Sequence, residues 1–165
     1  MNASWMGLVR NRKCAPYNLE EIRRKMECIF CKIVAGEIPA VKVLDEEQAL
    51  AFMDINPASR GHLLVIPKRH AENIFEISEG DLAAVMKAVR RCARAAKQAL
   101  KAEGVTVLQL NGKASGQVVP HLHVHIMPRW ANDGLTVSSW EMKAADMEEI
   151  KDIARKIKED LSSGS

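Results

Sequence analysis

The stretch Val119-Pro120-His121-Leu122-His123-Val124-His125-Ile126-Met127-Pro128 alternates imidazole and aliphatic side chains, and it holds three of the five histidines in the chain. In an extended strand successive side chains point to opposite faces. Leu122, Val124 and Ile126 then seal one face to a core. His121, His123 and His125 share the other face at intervals of about 7 Å, the length of two strand steps. That row is expected to look onto solvent beside a phosphate-sized hollow. A solvated strand without such a purpose would more often use Lys, Glu or Thr, so the alternation points to metal or anion chemistry.

Around this strand the pattern reads as an α+β domain. Val41 to Leu44 and Ala49 to Met53 have strand character and are joined by the polar Asp45-Glu46-Glu47-Gln48, as in a hairpin. His62 to Ile66 is a third strand after the turn at 56–61, and Val105 to Leu110 a fourth. Between them runs a long helix that Ser78 and Asp81 open and Gly104 stops, with Leu82, Val85, Val89, Cys92, Ala96 and Leu100 at helical spacing. Shorter helical stretches are expected from Asn18 and over Cys28 to Ala35, the latter ended by Gly36. A last amphipathic helix carries Met147, Ile150, Ile153, Ala154, Ile157 and Leu161. Hairpins interrupted by one helix favour a five-stranded antiparallel sheet. Residues 1–25 read as an extension, 26–130 as the domain, and 131–165 as a loop and helix packing on it.

Composition narrows the function. Apolar residues make up 47% and charged residues 27%, as in a globular protein. No apolar run spans a bilayer and the charged first residues do not suit a signal peptide, so the cytoplasm is the expected compartment. Twenty-four basic against 21 acidic residues leave a net charge of +3, scattered along helices. That is too weak to argue for nucleic-acid or membrane partners, none of which is expected, and it suits a small anionic substrate. In such a chain the pair Cys28 and Cys31 reads as metal or redox chemistry before a structural disulfide; Cys14 and Cys92 look unrelated.

The segment Asn111-Gly112-Lys113-Ala114-Ser115-Gly116-Gln117 stands directly before the histidine strand, and its two glycines permit turns that aim N–H groups at a phosphate. A neutral imidazole beside such a cradle is a competent nucleophile toward phosphorus near pH 7. These residues also carry a resemblance. His-Leu-His-Val-His-Ile-Met is similar to the signature His-x-His-x-His-x-x, with x apolar, of the histidine triad (HIT) superfamily of nucleotidyl hydrolases and transferases. Segments 28–39, 51–57, 61–70 and 116–121 resemble family segments in family order, and the likeness runs from Cys28 to about Arg129.

The resemblance implies roles. His123 would be the nucleophile that takes a nucleoside monophosphate as a covalent nucleotidyl-histidine, which water then hydrolyses. His125 would hold phosphoryl oxygens, Gln117 would contact the phosphate or leaving group, and His62 would support the triad from a neighbouring strand. Ile29, Phe30, Phe52, Ile55 and Leu64 would surround a purine base and Asp54 would accept from the ribose hydroxyls, with Asn111 and Gly116 beside the phosphate. Zinc structural sites take four ligands in a tetrahedron. Some family members close such a site on the Cys-x-x-Cys pair with residues matching His70 and His121, which makes structural Zn2+ the implied cofactor. The family fold implies a homodimer with the sheet continued across the interface, formed through the long helix and a strand.

Two positions depart from the family pattern, Leu110 where Asn or Gln is usual and Val118 where several phosphoramidase relatives carry Ser or Thr. They bear on leaving-group preference. Trp130 and Trp140, beyond the triad, suit packing or a dimer contact better than stacking on a base. The expected activity is hydrolysis of a nucleoside phosphoramidate or dinucleoside polyphosphate. The alternatives are a metallohydrolase holding one catalytic ion on all three triad histidines, and a nucleotide-binding regulatory module without turnover.

Overall fold

Ala49-Leu50-Ala51-Phe52-Met53 explains the layering of the sheet: Ala49, Ala51 and Met53 turn to one face and Leu50 and Phe52 to the other, and every one of them is buried. The structure, a computed structural model, describes residues 27–135 and 146–163. Five strands form one sheet: β1 (Lys42–Asp45), β2 (Ala49–Met53), β3 (Leu63–Pro67), β4 (Gly104–Gln109) and β5 (Val124–Arg129). Their order is β1-β2-β3-β5-β4 and every pairing is antiparallel. The expected antiparallel α+β architecture is therefore what the chain adopts. A register shift between Lys42 and Leu44 marks the first hairpin.

One face of the sheet, with Ala49, Ala51, Met53, Leu63, Val65, Val124 and Ile126, packs on two helices, α2 (Glu79–Leu100) and α3 (Met147–Ser163). The alanines of β2 let α2 approach closely, so Val85, Ala88, Cys92 and Ala96 reach the same core. Ile150, Ile153, Ala154 and Ile157 place the apolar stripe of α3 there too. The other face, with Leu50, Phe52, Leu64 and Ile66, is covered by α1 (Ile29–Ala35) through Phe30 and Ile33. Both sides of the central strands are dry, which is why they read as near-continuous apolar runs.

Local boundaries follow local chemistry. Ser78 caps α2 by accepting from the Asp81 amide at 3.1 Å while its hydroxyl donates to the Asp81 carboxylate at 2.7 Å. The other end of α2 departs from expectation: Lys101, not Gly104, takes the left-handed turn, at φ 52°, and Gly104 opens β4. Gly36 ends α1 at φ 79°, as its position predicts. The third strand starts one residue later than His62, and β4 one residue earlier than Val105. The helical stretch expected from Asn18 and the contacts expected of Trp140 lie outside the described residues. No helix among the described residues is long and apolar enough to cross a membrane.

Candidate active site and metal centre

The histidine run is only half strand. β5 begins at Val124, so His121 and His123 lie on its lead-in, although the alternation of faces persists: Leu122 joins the main core and the histidines turn to the opposite side. His125 pairs with Leu64 across the sheet and shares its face. The rings do not look onto open solvent, as the sequence led us to expect; they are 0, 5 and 9% exposed for His121, His123 and His125. The reason is α1. Phe30 stands edge-on to His123 and His121, with centroids 5.4 and 5.8 Å away, and roofs the row. The His123 and His125 rings lean together to 4.9 Å, closer than the interval of two strand steps.

Each imidazole has a proton position set by its partner. The Ala58 amide can only donate, and it meets His62 Nδ1 at 3.1 Å, so neutral His62 carries its proton on Nε2. That proton is donated to His125 Nδ1 at 2.9 Å, which leaves neutral His125 with its own proton on Nε2. His123 Nδ1 lies 2.7 Å from the His121 carbonyl oxygen, which can only accept. The proton is therefore on Nδ1 and the lone pair on Nε2, which makes no hydrogen bond to any described residue. His121 donates from Nε2 to the Pro67 carbonyl at 2.9 Å, so its Nδ1 lone pair faces the thiols.

Burial holds these rings neutral. It lowers the His123 pKa, against the opposing pull of the His121 carbonyl and Asp54. It lowers His62 likewise, with Asp54 opposing. His125 falls to about 3, through burial first and then through its neighbours His123 and His62. An unfolded histidine titrates near 6.5, so below that pH the unfolded chain binds more protons and stability is lost as pH falls toward the folded values. The expected slope is about 1.4 kcal/mol per pH unit for each histidine held neutral. Urea midpoints taken from pH 7 down to pH 5 check this, and His125→Gln should flatten the fall; an unchanged slope in that variant would show that His125 is not the group responsible.

The second constellation is built at the mouth of α1. Cys28 and Cys31, His70 from the segment after β3, and His121 bring four ligand atoms within 4.8 Å of one another. Cys28 Sγ and Cys31 Sγ lie 3.4 and 3.6 Å from His121 Nδ1, and Cys31 Sγ lies 3.3 Å from His70 Nδ1. Two thiols and two imidazoles, one with its lone pair already aimed inward, fit a tetrahedral S2N2 ion such as zinc. The triad histidines do not converge on a single ion. Among the described residues, the two groups able to ligate a metal are this one and Asp54, His62 and His125. That geometry removes the support for a shared catalytic ion on all three.

The remaining site residues divide. Phe30 of α1 is buried together with Phe52 and Leu64 of the sheet, whereas Ile29 and Ile55 are exposed. Asp54 accepts from the Asn56 amide at 2.8 Å and sets its other oxygen 3.6 Å from His62 Nδ1. Gly116 takes φ 92° in the turn before the triad, a conformation that suits glycine. Two hollows flank the histidines, one bordered by Ile29, His70 and Val118, the other by Asp54, Ser59 and His62; His123 lines neither.

Gln117 and Asn111 correct the reading of the loop. Gln117 donates both amide hydrogens, to the carbonyls of Glu72 at 2.7 Å and Val119 at 2.9 Å, and accepts from the Gly112 amide at 2.6 Å. No N–H remains on it for a phosphate. Asn111 is engaged with Gln109 in a reciprocal amide pair, at 2.6 and 2.9 Å, and accepts from the Ile74 amide at 2.8 Å. Both side chains are staples that tie the loop to the segment after His70. Gln117→Ala should therefore cost about 1–3 kcal/mol, the usual penalty for stranding buried backbone partners, read as a lower urea midpoint. Loss of turnover at an unchanged midpoint would return Gln117 to the substrate. Sequence reasoning missed the backbone groups that set the tautomers, Ala58 N and Pro67 O, because no residue type announces them.

Comparison with known proteins agrees with this geometry. The HIT domain family model matches residues 35–132. An uncharacterised HIT-like protein of Methanocaldococcus jannaschii is 43% identical over 123 residues, covering 74% of this chain and 95% of the relative. An adenosine 5'-monophosphoramidase of Schizosaccharomyces pombe is 42% identical over 133 residues, 80% of this chain and 96% of its own length. Among solved structures, a HIT-like protein from Bartonella henselae superposes with a TM-score of 0.76 at 40% identity, over 81% of this chain and 96% of that one. A zinc-bound histidine triad family protein from Mycobacterium smegmatis gives 0.75 at 34% identity, over 84% and 96%.

Proposed function

Because this chain belongs to the HIT-domain family, we propose that it hydrolyses a nucleoside monophosphate from its leaving group, through a covalent intermediate on His123. The observation that carries the reading is the 2.7 Å bond from His123 Nδ1 to the His121 carbonyl, which leaves Nε2 as a lone pair on a neutral ring. Nε2 attacks phosphorus, the bond from phosphorus to the leaving nitrogen or oxygen breaks, and the leaving group takes the electron pair and a proton from solvent. Water then attacks phosphorus and gives a proton to solvent, the bond from phosphorus to Nε2 breaks with its electron pair returning to the ring, and the nucleoside monophosphate leaves. While His123 carries the nucleotidyl group it is an imidazolium, and the His121 carbonyl stabilises its Nδ1–H. His125 offers its Nε2 proton to the phosphoryl oxygens, in the orientation that His62 sets from behind.

The substrate reading follows relatives named adenosine 5'-monophosphoramidase, so a purine nucleoside phosphoramidate is the first substrate to test. Phe30, Phe52 and Leu64, with Ile29 and Ile55 at the rim, are the base-contacting set, and Asp54 is the ribose acceptor. Zn2+ is the proposed metal, which Cys28, Cys31, His70 and His121 would hold; it would supply a cross-link between α1, the segment after β3 and the lead-in to β5. A homodimer is proposed through α2 and the edge strand β4, whose single strand neighbour among the described residues is β5 and whose Val107 is exposed. The cytoplasm is the proposed compartment.

The test is a rapid quench into alkali with phosphorus-labelled adenosine phosphoramidate. Label on His123 that disappears in acid and turns over supports the hydrolase. Nucleotide affinity with neither adduct nor product would assign a binding module instead.

A further inference from the structure

The metal cluster and the proposed nucleophile share a residue, and the hydrogen bonds around it go further than cross-linking. His121 contributes its ring to the cluster and its carbonyl oxygen to His123 Nδ1, at 2.7 Å. That carbonyl belongs to the peptide unit between His121 and Leu122. The same unit donates its Leu122 N–H to the Ala71 carbonyl at 2.7 Å, and Ala71 follows His70, another residue of the cluster. The ring is held at its far nitrogen by the Pro67 carbonyl on β3, at 2.9 Å. Both chain segments that aim this one peptide therefore end in ligands of one site. The third segment, α1, brings Phe30 against the His123 ring, and it too starts from ligands, Cys28 and Cys31.

From this we infer that the Cys28, Cys31, His70, His121 site is a positioning device for His123: a bound metal fixes the His121–Leu122 peptide so that its carbonyl selects the tautomer with a free Nε2. The ligands are positioning residues, since none of them has to touch substrate for this to hold. The inference rests on the reading of His123 as the nucleophile. Without the metal, the tie between α1, the segment after β3 and the β5 lead-in is reduced to hydrogen bonds, and the peptide gains freedom to rock.

The experiment uses the full chain loaded with Zn2+, or with Co2+ so that thiolate and imidazole ligation is visible in the absorption spectrum. Histidine-selective 15N NMR reads which His123 nitrogen carries the proton, before and after chelation and in His70→Ala. The loaded protein should show a single Nδ1–H tautomer. Chelated protein and His70→Ala should show averaged tautomers, a kcat lowered about tenfold and a KM within about twofold, and His70→Cys should restore metal, tautomer and kcat together. An unchanged tautomer and kcat after metal loss would overturn the inference. So would loss of helical signal and nucleotide binding along with turnover, which would assign the metal to the fold. If the loaded protein shows no turnover at all, the hydrolase reading fails, while the tautomer comparison still decides the positioning.

Discussion

Alanine in place of His123 is expected to lower turnover of adenosine phosphoramidate roughly ten-thousand-fold or more while the sheet stays folded, because the variant has no atom able to form the bond to phosphorus. The size of the effect follows from chemistry that no neighbour can replace. His125 lies next to it, but its Nδ1 is taken by His62, and neutral His125 then carries its proton on Nε2. His121 has its ring nitrogens directed at Pro67 and the thiols. The fold should tolerate the change, since the ring packs against Phe30 on the side of the sheet away from the main core. Removing it leaves a small gap under α1, costing about 1–3 kcal/mol. Single-turnover kinetics with circular dichroism as the folding control separates the two effects. Residual hydrolysis near the parent rate would sink the covalent mechanism.

The second large effect is on stability. Gly61→Ala should lose about 2–5 kcal/mol, from two causes that act together. Gly61 sits at φ 81°, where a side chain costs about 1–2 kcal/mol on its own. A Cβ there would also lie 2.2 Å from Leu100 Cδ1 and 3.3 Å from Pro128 Cγ, and Leu100 is packed into the core at the end of α2. Gly36→Ala is the matched control: φ is 79° but nothing lies within 4 Å of the added carbon, so it isolates the backbone cost. Urea unfolding of both variants reads the difference. Equal losses would mean that Leu100 yields freely and that crowding contributes nothing. Gly61 also precedes His62, so a displaced turn is expected to disturb the His62–His125 bond and with it the orientation of the triad.

How much of this was legible beforehand depends on what kind of signal each part leaves. Alternation over residues 121–126 placed the aliphatic side chains in the main core and the histidines opposite, and the structure keeps that division although the ladder begins only at Val124. The Cys-x-x-Cys pair pointed to metal chemistry, the resemblance added His70 and His121, and the four ligand atoms do meet. The burial of the triad was not legible, because the covering group is Phe30, on a two-turn helix more than ninety residues earlier in the chain. The hydrogen bonds of Gln117 were hidden for a similar reason. A glutamine beside a glycine-rich turn looks available until Glu72 and Val119 bring their carbonyls to it.

Residue types and their spacing settled which side chains face which layer and which atoms are chemically able to bind a metal or attack phosphorus, since period and valence are local properties. Which imidazole nitrogen keeps its proton was decided in three dimensions, by backbone groups of Ala58, Pro67 and His121 that every residue possesses and no sequence pattern marks. A carbonyl can only accept and an amide can only donate, so the meeting of distant segments, not composition, left His123 with its lone pair on Nε2 and turned that of His121 toward the thiols.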